Sequence, residues 1–152
     1  MKESYGNLLD VTSGLIAHQT NCMDRIGAGV AQAIIEKYPV VKSEYHAFCR
    51  IYKTPEARFG RIQAIPVSAD LTIFNSFSQL NYGNAKRLGR VFTDMNILTR
   101  NIGAILKSSP DKILYLPGYI GCGLAGGDWC QLKHNLSKLP GSERIEIIYL
   151  KR

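Results

Sequence analysis

"KILYLP", Lys112 to Pro117, constrains the fold more than any other stretch, because its apolar run is almost unbroken. A strand with one wet face alternates apolar and polar residues, whereas a run without alternation must be covered on both faces. The segment therefore predicts an inner strand of a layered α/β domain, with helices above and below it.

The rest of the chain supplies elements of both kinds. "LLDV" and "GLIAH" read as the first two strands. From Ala28, the residues Val30, Ala31, Ile34 and Tyr38 recur at helical spacing, and Pro39 ends that helix. "VVKSEYHAFCRIY" predicts a second helix, with Val41, Tyr45, Phe48 and Tyr52 on one stripe. "GRIQAIPVS" and "LTIFNSFSQ" read as strands joined by a turn at Ala69-Asp70. "VFTDMNILTRNIGAILK" gives the longest helix, with Val91, Met95, Leu98, Ile102 and Ile105 inward. Trp129, Leu132, Leu136 and Leu139 mark a last helix, and "RIEIIYL" closes the sheet. The expectation is about six strands and four helices in three layers.

A length of 152 residues suits one domain, residues 1–152, with a substantial core. No apolar run approaches the roughly 20 residues needed to span a membrane, so no membrane partner is expected. "MKESYGNLLD" has no signal-peptide pattern, which predicts a cytoplasmic protein. Cys22, Cys49, Cys122 and Cys130 form no CxxC pair, so reduced thiols are expected and no structural metal. Neither His18 with Cys22 nor His46 with Cys49 makes a convincing zinc set. The net charge of +7 suits an anionic ligand. The basic residues are scattered, however, which fits a solvated surface better than a nucleic-acid footprint.

Two glycine-rich loops carry the functional signal. In "HQTNCMDRIGAGVAQAI", Gly27 and Gly29 lead into the first helix. Glycines let a ligand approach the main chain, and helix starts favour phosphate. The glycines of a Rossmann turn would follow the strand directly and be followed by an acidic strand end, and neither holds here. In "PGYIGCGLAGGDW", five glycines fall between Gly118 and Gly127, after the "ILYLP" strand. Ligands of open α/β sheets sit beyond the carboxyl ends of the strands, so two such loops could close on a diphosphate.

Taken together and in order, "IAHQTNC", "GAGVA", "KYP" and "IGCGLAGGDW" resemble the macro domain family of ADP-ribose-binding modules. The likeness runs over nearly the whole chain and is greatest to the branch of ADP-ribose-1''-phosphate phosphatases and terminal ADP-ribose hydrolases. It implies a three-layer α/β/α fold around a mixed, about six-stranded sheet, with no cofactor. It also implies that Gly6, Asn7 and Leu8 lie beside the adenine. Asn7 stands where an aspartate is commoner, and a turn residue is the alternative reading. Asn21 corresponds to an asparagine facing the distal ribose. Gly27, Ala28, Gly29 and Val30 match the loop near that ribose and the diphosphate. Gly121, Cys122, Gly123 and Leu124 match the second diphosphate loop.

The same resemblance assigns a catalytic role to His18, which as an imidazole could activate water. A core histidine is the alternative. Asp128 is either a water-positioning catalytic residue or simply the cap of the last helix. Hydrolase relatives carry an aspartate where this chain has Ala125, and their lysine has no clear counterpart beyond a guess at Lys86. Cys122 fits diphosphate binding better than nucleophilic attack. The leading expectation is hydrolysis of the terminal phosphate of ADP-ribose-1''-phosphate. The alternatives are removal of ADP-ribose from protein or nucleic acid, and a non-catalytic reader of ADP-ribose. A fourth, nucleic-acid binding, predicts strong salt dependence.

Overall fold

The computed structural model describes residues 1–151. Six strands form one sheet: β1 (Lys2–Gly6), β2 (Gly14–Asn21), β3 (Ile62–Pro66), β4 (Leu71–Gln79), β5 (Leu114–Pro117) and β6 (Ile145–Leu150). Their order across the sheet is β1-β6-β5-β2-β4-β3. All neighbours are parallel except β3 and β4. Five carboxyl ends therefore meet at one edge, and both glycine-rich loops leave from it.

The helices are α1 (Gly29–Lys37), α2 (Pro39–Ile51), α3 (Pro55–Arg58), α4 (Ala85–Leu88), α5 (Met95–Ser108) and α6 (Trp129–Ser137). Side chains alternate across a strand. Leu15 and Ala17 of β2 thus join Leu98, Ile102, Leu132 and Leu136 of α5 and α6. Ile16 turns the other way, to Ile34 of α1 and Val41 of α2. Leu114 and Leu116 of β5 are fully buried, and the strand lies between β6 and β2, as its unbroken apolar run requires.

Four sequence expectations need correction. "LLDV" is not a strand; Leu8–Asp10 is a single 3-10 turn, and the first strand is the less apolar "KESYG". That strand forms the sheet edge, where exposed alternate residues erase the apolar signal. Consequently β6 does not close the sheet but runs between β1 and β5. Val91 is 61% exposed and outside α5, whose start is fixed by Asp94 accepting from the Ile97 N–H at 2.9 Å. The short α3 and α4 have too few turns to show a period. Pro39 both ends α1 and opens α2, a use of proline at a first helical position.

Candidate functional site

A cleft of about 600 Å³ lies at the carboxyl edge, above β2. Residues 25–31 form one wall, and residues 117–125 apart from 122 form the other. Residues 18–21 make the floor, and Gln79, Tyr82 and Gly83 close one end. Arg25 is the one charged side chain among the described lining residues, and no carboxylate lines the cleft. The α1 helix starts at Gly29 with no side-chain cap, so its first N–H groups remain for another acceptor. By contrast, Asp94 and Asp128 cap α5 and α6.

The two walls are held differently. Asn21 Nδ2 donates to the Arg25 carbonyl at 2.7 Å, while its Oδ1 accepts from the Met23 N–H at 2.9 Å. The Tyr45 hydroxyl lies 3.0 Å from both the Asn21 carbonyl and Asn21 Oδ1, and accepts from the Arg25 N–H at 3.2 Å. His46 Nδ1 pairs with Asp24 at 2.6 Å. Buried Arg58 donates to the carbonyls of Cys22, Cys49 and Tyr52, fixing the start of this wall to the end of α2. In the second wall, the backbone pairs with itself. The Cys122 N–H donates to the Tyr119 carbonyl at 2.8 Å, and the Gly127 N–H donates to the Gly121 carbonyl at 3.0 Å.

Beneath the cleft, the two faces of the sheet carry separate polar networks. On the α5 face, Gln19 Nε2 donates to Gln79 and Thr93 at 2.8 Å each, and Ser78 donates to Gln19 at 2.7 Å. Thr93 in turn donates to the Gly121 carbonyl, tying the second wall to the floor. On the α2 face, His18 is 1% exposed, with Nε2 2.6 Å from Asn75 Oδ1. Burial lowers its pKa to about 4 against the partial support of Asn75, so the ring is neutral near pH 7.

No family model matches the chain. A 58-residue stretch is 40% identical to the ADP-ribose 1''-phosphate phosphatase of Aspergillus oryzae. That stretch is 37% of this chain and only 29% of the fungal protein. A protein of unknown function from Bacteroides thetaiotaomicron superposes with a TM-score of 0.83 at 21% identity, over 99% of this chain and 97% of that one. A macrodomain protein of Streptomyces coelicolor gives 0.75 at 19% identity, over 99% and 98%. The chain has the macrodomain fold. Thermosipho africanus DarTG, solved in complex with ADP-ribose, shares it at a TM-score of 0.69 and 17% identity, over 91% of this chain and 38% of that one.

The cleft brings together His18, Asn21, Gly27, Ala28, Gly29, Val30, Gly121, Gly123 and Leu124. Five expected residues, Gly6, Asn7, Leu8, Cys122 and Asp128, are not in its lining, and Gly6 shares the position of Asn7. Leu8 is buried in the core under α1. Asn7 Oδ1 accepts from the Leu9 N–H at 3.0 Å and lines a separate hollow that also contains Asp10 and Glu146. Asp128 accepts from the Gln131 N–H at 3.1 Å as the α6 cap. Cys122 packs against the core, and burial, with the charge of Asp128 adding to it, pushes its thiol up to about 11. It stays protonated at neutral pH and is no activated nucleophile.

Several residues in and beneath the cleft escape the sequence pattern. Arg25, Tyr82 and Tyr119 line the cleft from loops. Gln19, Thr93, Gln63 and Asn75 act from below. Asn75 and the serines beside it, polar positions inside "LTIFNSFSQ", were the available signal: a fully buried strand does not carry asparagine without partners. Among the described residues, no helix is long and apolar enough to cross a membrane, and no group of three or more His, Cys, Asp or Glu could hold a metal ion.

Proposed function

We propose that the cleft binds ADP-ribose and that the protein hydrolyses the terminal phosphate of ADP-ribose-1''-phosphate. The observation that carries this reading is the pairing of two glycine-bearing walls across one cleft, with the uncapped start of α1 in one of them. Backbone N–H groups and a helix dipole suit a diphosphate without needing many cationic side chains. The segment shared with the fungal phosphatase and the ADP-ribose complex of DarTG support the same ligand class.

In the reaction, water adds to phosphorus, the bond from phosphorus to the 1''-oxygen breaks, and inorganic phosphate and ADP-ribose leave. His18 is the catalytic residue of this reading. Neutral at pH 7, it offers one hydrogen-bond acceptor, to the attacking water in the phosphate ester or to a hydroxyl in ADP-ribose, rather than supplying a proton. Asn21, Gly27–Val30 and Gly121–Leu124 position the substrate, with Cys122 contributing through its backbone. Asn7 and Leu8 would meet the adenine only at the far end of the carboxyl edge. Asp128 acts as the helix cap, and a water-positioning role for it requires the α6 start to shift.

A second reading, binding without turnover, draws on the lack of any lining carboxylate and on the weak basicity of His18. Phosphorus NMR of ADP-ribose-1''-phosphate with the protein separates the two. A growing inorganic phosphate signal that His18→Ala abolishes supports the phosphatase. Broadened signals with an intact ester support the reader, and unchanged spectra overturn both.

A further inference from the structure

The amides under His18 form a chain whose hydrogen-bond sense is forced from one end. The Glu44 backbone carbonyl in α2 can only accept, so the group of Gln63 lying 2.8 Å from it is the NH2. Gln63 therefore turns its oxygen to Asn75, whose Nδ2 donates across 3.0 Å. Asn75 is left with Oδ1 facing His18 Nε2 at 2.6 Å. An amide oxygen only accepts, so Nε2 must carry the proton.

In a neutral imidazole, the other nitrogen is then a bare acceptor. His18 Nδ1 is buried, and it is the one buried side-chain nitrogen or oxygen among the described residues without a hydrogen-bond partner. The buried polar side chains on the opposite, α5 face of the sheet, Gln19, Ser76, Ser78 and Asn101, all have partners. A buried acceptor left unpaired costs stability; burial keeps the ring neutral, and the three side chains in series fix which of its nitrogens is bare.

We propose that Gln63 and Asn75 are positioning residues that lock His18 in the Nε2–H tautomer, so that Nδ1 accepts a hydrogen bond from a hydroxyl of the ligand in the cleft. The relay stands on the internal geometry alone, whereas the ligand hydroxyl rests on the ADP-ribose reading above. The role explains why Asn75 stands at full burial on the face of β4 that otherwise carries Leu71, Ile73 and Phe77. It also gives Gln63, on the far side of that strand pair and outside the cleft lining, a part in the site.

Long-range nitrogen–proton correlation on the protein with 15N-labelled histidine reads the tautomer directly at pH 7, with the His18 signals assigned by their loss in His18→Gln. The expected spectrum has a protonated Nε2 and a bare Nδ1. A protonated Nδ1, alone or with Nε2, overturns the proposal. Gln63→Leu removes the acceptor of Asn75 Nδ2 and frees that amide to turn, so both tautomers of His18 should appear. A single Nε2–H form in folded Gln63→Leu overturns the relay, and the spectrum of the unsubstituted protein decides even if this variant fails to fold.

Saturating ADP-ribose supplies the last arm. In protein labelled with 15N in glycine as well, shifts of the Gly29 and Gly121 amides report occupancy of the cleft, and an upfield shift of Nδ1 reports its new bond. Amide shifts with an unmoved Nδ1 overturn the acceptor role while leaving ADP-ribose as ligand. Unmoved amides overturn the ADP-ribose reading, and the tautomer then stands as the test of the relay.

Discussion

The two glycine-rich walls of the cleft look alike in the sequence and are built on opposite principles. In the second wall, the protein itself fills the space that side chains would need. A Cβ on Gly126 would lie 2.5 Å from the Ala85 Cβ, one on Gly127 would lie 2.7 Å from the Gly121 carbonyl oxygen, and one on Gly118 would enter the Tyr149 ring. Only Gly123 faces open space. In the first wall, the glycines are set by backbone conformation. Gly29 has φ +57° with nothing within 4 Å of a Cβ, and one on Gly27, at φ +142°, meets the flexible end of Gln32 at 3.1 Å and Ile35 at an ordinary 3.9 Å. The difference teaches that glycine density alone does not mark a ligand. Most of the second cluster is explained by packing, and the glycines that leave room for a ligand are Gly29 and Gly123.

That contrast can be broken in order of expected effect. Gly126→Ala combines a contact that cannot move aside with φ +79°, and should cost about 4 kcal/mol in urea unfolding. A loss below about 1 kcal/mol would mean that the second wall is not rigidly packed.

The floor between the walls responds to acid. Unfolded His18 binds a proton near 6.5, whereas in the fold it does so only near about 4. The unfolded state thus holds more protons between these values, and stability is full above pH 6.5 and falls as pH drops toward 4. The loss from this ring is about 3 kcal/mol. Chemical denaturation from pH 4 to 7 should show it, and His18→Gln should flatten the curve over that range.

For the first wall, Tyr45→Phe removes the hydroxyl that gathers Asn21 and Arg25. The expected cost is about 1.5 kcal/mol, with faster amide exchange confined to residues 21–29. Equal acceleration in residues 118–127 would show that the walls are coupled. Gly29→Ala should cost about 1 kcal/mol through its left-handed backbone. Gly123→Ala should change stability by less than about 0.5 kcal/mol and, on the proposed ADP-ribose reading, weaken that ligand about tenfold, because the methyl would enter the open space of the cleft. Unchanged affinity by calorimetry would remove Gly123 from the site.

The legible parts of the molecule were those whose signal is local. The unbroken apolar run of β5 gave its central place, and the helical stripes of α1, α2, α5 and α6 gave the layers. The motifs around His18, Gly27–Val30 and Gly121–Leu124 gave the family resemblance, and all lie at the carboxyl edge of the sheet. β1 was not legible, because an edge strand with exposed alternate residues has neither an apolar run nor a contrast to read. Asn7 read as an adenine contact or a turn residue and Asp128 as a water-positioning residue or a cap, and both make caps in the fold.

What the sequence determined by itself is the layered α/β class and the two loops at the strand ends, since period and glycine placement act within a few residues. The order of the strands, with β6 inside β1, needed the whole sheet, because pairing partners lie far apart in the chain. The state of His18 was likewise decided only in three dimensions. A histidine is charged or neutral, donor or acceptor, according to its burial and to Asn75, which is 57 residues away. Its chemistry therefore depends on the network that the folded sheet places behind it.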